Sequence, residues 1–191
     1  MDRRKFATSV LGTSIVGALA AVGSVIASIR AVRRSTGEAA VAEGDRLVFA
    51  MGANTGTVIT RDAVQTGEAV LAFPQGKESN HDNLVMLVRL EPSVYAPPTR
   101  LEWTAGGFAA YSAVCTHLAC TVRFSGEGVA AAPFSHIHCP CHAGVFDPRR
   151  GASVVAGPPP RPLPQLPVRL NEAGEVVAAG EFAETVGVAA A

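Results

Sequence analysis

The chain has 191 residues, with 16 Lys plus Arg against 16 Asp plus Glu, so its formal net charge is zero. It therefore lacks the positive field on which nucleic-acid binding depends. Charged residues make up only 17% and mean hydropathy is +0.26, which points to a membrane segment or an unusually apolar surface. Nineteen Gly and thirteen Pro argue against an all-helical chain and for short strands and loops.

The first predicted element is apolar. Residues 6–29, from Phe6 to Ile29, carry no charge. A helix of that length rises about 36 Å, enough to cross a hydrocarbon core about 30 Å thick with some tilt. Just before it, Asp2-Arg3-Arg4-Lys5-Phe6 resembles a twin-arginine export signal; the plainer alternative is a signal-anchor with a basic flank. Ala18-Leu19-Ala20 has the small-x-small form of a cleavage site, yet apolar residues continue to Ile29, which favours an uncleaved anchor. Arg30, Arg33 and Arg34 balance Arg3, Arg4 and Lys5, so charge alone does not orient the span. Residues 30–46 are small, polar and charged and read as a tether. The expected arrangement is a single-pass anchor in the cell membrane, with the domain 47–191 on the periplasmic side.

From Leu47 onward, short apolar runs alternate with turn residues. The runs are Leu47–Met51, Thr57–Thr60, Ala69–Phe73, Leu84–Leu90, Phe108–Val114, Thr121–Phe124, Ser135–His138, Val145–Asp147, Ser153–Ala156, Val168–Leu170 and Val176–Ala179. Gly52, Gly56, Gly126, Pro148, Gly151, Asn171 and Gly174 punctuate them, which predicts an all-β sandwich or barrel. The stretch Gly157-Pro158-Pro159-Pro160-Arg161-Pro162-Leu163-Pro164 is excluded from any central strand and reads as a stiff loop.

All four Cys and two of the five His fall in two short boxes, Cys115-Thr116-His117-Leu118-Ala119-Cys120 and Cys139-Pro140-Cys141-His142. Each follows an apolar run, so each sits in a loop leaving a strand. Two structural disulfides suit an exported chain but leave both His without a role. Zinc is a second reading, although this spacing is poor for a zinc ribbon. Thiol exchange is a third, but there is no Cys-x-x-Cys.

The boxes resemble those of the Rieske family, whose pattern is C-T-H-L-G-C followed by C-P-C-H-G-S. YSAVCTHLAC, GVFDPRRG and GPPPRPLP are similar to its strand-and-box, hairpin and proline loop. The resemblance implies an antiparallel β sandwich with a cluster-binding subdomain inserted at about 107–165. It implies a 2Fe-2S cluster held by Cys115 and Cys139 on one iron and His117 and His142 on the other. Cys120 and Cys141 would then form a disulfide stapling the two loops. Imidazole ligands put less negative charge around the iron and raise the potential. By the same resemblance His142 contacts quinol and accepts its proton. Oxidised iron weakens an imidazole's hold on its proton and reduction restores it, which couples electron and proton uptake and predicts a pH-dependent midpoint potential.

The extra Cys pair and the anchor point, within that family, to the iron–sulfur subunit of a quinol–cytochrome c reductase. Its partners would be a cytochrome b subunit, a c-type cytochrome and membrane quinol. One alternative is the small Rieske subunit of an arsenite oxidase; from another class, a metal-free, disulfide-stapled binding module. Where high-potential members carry Ser and Tyr donating hydrogen bonds to the cluster, this chain has Gly144 and Phe146. That predicts a lower potential, suited to menaquinol, which Gly144→Ser with Phe146→Tyr would raise. Ala119 and Ala143 replace family glycines. His136 and His138 read as same-face strand residues, His81 as a solvated loop residue, and Tyr111 and Trp103 as core.

Overall fold

The computed structural model describes residues 39–188, in which eleven short strands and several 3-10 turns make three antiparallel sheets and no α-helix occurs. No helix among the described residues is long and apolar enough to cross a membrane. The anchor expected at residues 6–29, the twin-arginine motif and residues 30–38 of the tether lie outside the described residues.

The central sheet has five strands in the order β1 (Leu47–Phe49), β2 (Glu68–Pro74), β3 (Val85–Arg89), β4 (Phe108–Ser112) and β9 (Gln165–Leu166). In β3 four residues, Val85 to Val88, are buried in succession. A strand reads as a continuous apolar run when both faces of its sheet are covered. Met86 and Val88 join one apolar core with Tyr111, Ile137 and Phe146, while Val85 and Leu87 join another with Phe108, Leu166 and Val176. The two-residue strand period thus sends alternate side chains into two different cores.

The second core is closed by the hairpin β10 (Val168–Leu170) and β11 (Val176–Ala178), turned at Asn171 to Gly174. Asn171 Oδ1 accepts from the amides of Ala173 and Glu175, and Gly174 takes φ +75°. The first core is closed by a four-stranded meander, β5 (Arg123–Ser125), β6 (His136–Cys139), β7 (Gly144–Asp147) and β8 (Ser153–Ala156). In chain order this meander lies between β4 and β9 of the central sheet.

Three expectations need correction. Thr57–Thr60 is not a strand but a pair of isolated bridges, Val48 to Val58 and Thr60 to Glu175. Its hydrogen bonds are split between two edges: the Ile59 amide donates to Leu47 O, and Ile59 O accepts from Val176. The two residues of β9, directly after the prolines, were not expected as a strand; they pair with β4. Residues 39–46, read as tether, are packed on the domain: the Val41 amide donates to Asn83 Oδ1 and Lys77 pairs with Asp45 at 2.6 Å.

Candidate metal centre

The first box occupies the connection from β4 to β5. The Cys115 amide donates to Cys120 O at 2.8 Å, and the Ala119 amide donates to Cys115 O at 2.9 Å. The loop is thereby closed on itself, with Thr116 to Ala119 as its tip. Ala119 completes the turn at φ +58°, a left-handed backbone that Gly adopts without penalty and Ala does not. The second box is the loop of the β6–β7 hairpin. Its last strand pair is Cys139 with Gly144, which leaves Pro140 to Ala143 as a four-residue turn, with Ala143 at φ +54°.

These loops meet. Cys120 and Cys141 are joined by a disulfide, with Cα atoms 6.6 Å apart. Cys115 and Cys139 are free thiols and both are buried. The His117 and His142 rings stand nearly perpendicular, centroids 4.7 Å apart. His142 is exposed and His117 half-buried. The Sγ atoms of Cys120, Cys139 and Cys141 lie within 4.8 Å of one another, but the disulfide consumes two of them, so that trio is not a ligand set.

The residues fit an iron–sulfur cluster. His117 Nδ1 is buried and has no hydrogen-bond partner, and a buried imidazole nitrogen of that kind is a donor that a metal ion satisfies. Burial above all holds the Cys115 thiol above its usual pKa; the His117 amide opposes this, and the neighbouring Cys139 adds to the rise. Two close, buried sulfurs hold negative charge together only beside a cation. Two thiols with two imidazoles are the donor set of a mixed-ligand 2Fe-2S centre.

Around this nest the proline loop lies on the second box. A Cβ at Gly144 would stand 2.6 Å from Pro159 Cγ, and one at Gly157 would stand 2.6 Å from Ala143 O. Gly144→Ser therefore has no room while Pro159 stays in place, so it is not a clean way to restore a hydroxyl donor. Phe146 is fully buried, in the same core as Cys115 and Cys139. The Thr116 hydroxyl donates to Arg161 O at 2.8 Å, a link between the first box and the proline loop that sequence reasoning missed.

The remaining histidines sit apart from these roles. His136 and His138 lie two residues apart on β6 with ring centroids at 5.8 Å. Burial first, then the positive charge of His136 and Arg123, lowers the His138 pKa. His81 is exposed, its Nε2 3.1 Å from Thr121 Oγ1. Tyr111 is core, its hydroxyl donating to Pro148 O at 2.7 Å. Trp103 is not: it is half-buried in a 3-10 turn with the Arg100 guanidinium 4.3 Å above its ring, which suits an amphipathic indole at the surface.

Residues 55–167 match the model of the Rieske [2Fe-2S] domain. The chain is similar to a protein of Haloferax mediterranei named putative respiratory nitrate reductase subunit Rieske, 35% identical over 90% of this chain and 75% of that one. It is also similar to the cytochrome bc1 complex Rieske iron–sulfur subunit of Streptomyces lividans, 34% identical over 71% of this chain and 82% of that one. A solved structure, the soluble domain of Rieske protein II from Sulfolobus acidocaldarius, aligns with a TM-score of 0.37 and 24% identity over 55% of this chain and 67% of that one. The chain belongs to the Rieske [2Fe-2S] family, and its cofactor is a 2Fe-2S cluster.

Proposed function

We propose that the chain is the electron-carrying iron–sulfur subunit of a bc-type quinol–cytochrome c reductase, with Cys115, Cys139, His117 and His142 as the cluster ligands. The observation that carries the ligand set is the meeting of two buried free thiols, the paired His117 and His142 rings and the partnerless His117 Nδ1 at the tip of two loops. The cluster, when bound, supplies one-electron carriage between quinol and a c-type cytochrome. The chain's own residues do the rest. His142 is exposed, so its ring is accessible to a quinol hydroxyl, whose proton it takes. Leu118 and Pro140 are exposed beside the two histidines and give the tip an apolar rim for a lipid-soluble substrate. Buried Thr116 and Pro159 close the other side. The relatives named as cytochrome bc1 subunits favour a cytochrome b partner, and Phe146 and Gly144, which bring no hydroxyl donor, favour menaquinol. The membrane anchor and periplasmic placement follow from residues 1–29 by the sequence argument alone.

The experiment is electron paramagnetic resonance of the purified full chain after dithionite reduction, followed by reduction with a menaquinol analogue in membranes. A rhombic signal that disappears in Cys139→Ser and His117→Ala is the expected result. A protein that is colourless, or whose signal survives both substitutions, overturns the ligand assignment. A second reading has one observation in its favour: the Haloferax relative is named as a nitrate reductase subunit. A chain that co-purifies with a molybdenum-containing oxidoreductase and no cytochrome b would decide for that partner.

A further inference from the structure

The segment following β11 does not leave the domain. The Ala183 amide donates to Gln165 O at 2.9 Å, and the chain then runs through Glu184 to Gly187 beside Arg161. Arg161 Nη2 donates to Thr185 O at 2.6 Å and to Gly187 O at 2.7 Å, and Nη1 lies 3.5 Å from Glu184 Oε2. Glu184 is well exposed, so the ion pair contributes little; the two carbonyl bonds of a largely buried guanidinium carry the contact. Gly187 is buried at φ +69°, and a Cβ there would stand 3.3 Å from Val114 Cγ1 and 3.8 Å from Ala119 Cβ. The C-terminal segment thus lies directly on the first box.

Arg161 also belongs to the proline loop, and that loop touches both boxes. Its own carbonyl accepts from Thr116, between Cys115 and His117. Two residues earlier, Pro159 is buried against Gly144. One side chain therefore fastens the C-terminal segment to the loop that closes over both halves of the site. Both carbonyl bonds come from one nitrogen, Nη2, at the far end of the side chain, and a lysine ammonium, one bond shorter, does not reach the same point.

We propose that Arg161 is a positioning residue for the cluster: it locks Glu184–Gly187 as a strap over the proline loop, and the strap sets how tightly the two boxes close and exclude water. The proposal rests on the ligand assignment above. Reduction adds negative charge to the cluster, and water stabilises that charge, so a loosened strap raises the midpoint potential. It also opens the cluster to chelators.

Two single substitutions keep the charge of the site. Arg161→Lys retains the cation and shortens the side chain that reaches Thr185 O and Gly187 O. Gly187→Val places a branched side chain at a positive φ against Val114 and displaces the strap. Each is expected to speed loss of the cluster to a chelator roughly tenfold, the scale of lost support around metal ligands, to raise the midpoint potential and to broaden the resonance lines. The double variant is expected to be no worse than the more affected single one, because both break the same contact. Arg161→Lys, the milder change, carries the test if Gly187→Val does not fold. Wild-type values for potential, line shape and chelator rate in the folded variants, or effects that simply add, overturn the strap alone. A wild-type chain with no reducible cluster overturns the ligand assignment and the strap with it.

Discussion

Along β3, four consecutive residues, Val85 to Val88, are buried in two opposed cores; along the second box, four consecutive residues, Pro140 to Ala143, are all exposed. The strand is held by apolar area removed from water on both of its faces. The box has almost none, and its place is fixed by other means: the hairpin register Cys139 to Gly144, the disulfide to Cys120 and the Pro159 ring against Gly144. The site needs this arrangement. On the proposed function, a ligand that meets a membrane-soluble substrate has to be exposed, and an exposed loop gains too little from burial to hold ligands in one geometry.

The sharpest way to break the comparison is to remove one support from each region. Leu87→Ala deletes a fully buried side chain from the core remote from the cysteines and is expected to cost about 3 kcal/mol. Thermal unfolding should show the loss, while the midpoint potential of the folded protein stays unchanged. Cys120→Ala with Cys141→Ala opens a cross-link spanning 21 residues, and loop-closure entropy puts its removal at about 3 kcal/mol as well. Here the cost should fall on the site. Cluster content and line shape should degrade at temperatures where far-ultraviolet circular dichroism still reports intact sheets. Equal spectral damage from Leu87→Ala would show that the two regions are not separately held.

A smaller effect tests the surroundings of the proposed ligands. Phe146 packs in the core that holds the proposed ligands Cys115 and Cys139, so Phe146→Tyr introduces a hydroxyl into that shared core with little added volume. A hydrogen bond of about 1 kcal/mol to the reduced state corresponds to about 40 mV for a one-electron couple, and the potential should rise by that order. Gly144→Ser alone should instead lose cluster, because Pro159 occupies the space that its side chain needs. Adding Pro159→Ala should recover the protein and expose the effect of the hydroxyl. Redox titration of the three variants separates the two positions.

The strands that the sequence made legible are those whose side chains repeat an apolar pattern against a continuous core, as in β2, β3 and β4. Thr57–Thr60 carries the same kind of residues, yet its backbone partners lie on two different sheets, and no local pattern records that division. The two boxes were legible through their resemblance to the Rieske pattern, in which residue type and spacing are restricted together. Arg161 was not. A lone cation among prolines looks like a solvated loop residue, and its partners are the carbonyls of Thr185 and Gly187, groups that every residue possesses. Trp103 misled for a related reason: an indole stacked beneath Arg100 at the surface has the same composition signal as one in a core.

The smallest effect bears on the loops' own backbone. Among the described residues three alanines take positive φ: Ala119 at +58°, Ala143 at +54° and Ala152 at +50°. A left-handed residue with a Cβ costs about 1–2 kcal/mol, and Gly removes that strain at an entropic cost of about 0.5–1 kcal/mol in the unfolded chain. Ala119 and Ala143 are exposed, so Gly gives up no packing there, and each substitution should stabilise the domain by up to about 1 kcal/mol. Ala152 is fully buried in the core shared with Cys115, and removing its methyl sacrifices apolar contact of about 0.8 kcal/mol, which cancels the gain. Thermal melts of the three single variants should therefore rise for Ala119→Gly and Ala143→Gly and stay flat or fall for Ala152→Gly. A fall at Ala143 would mean that its methyl, despite its exposure, steadies the turn that presents His142, and that the site accepts backbone strain in exchange for a stiffer loop.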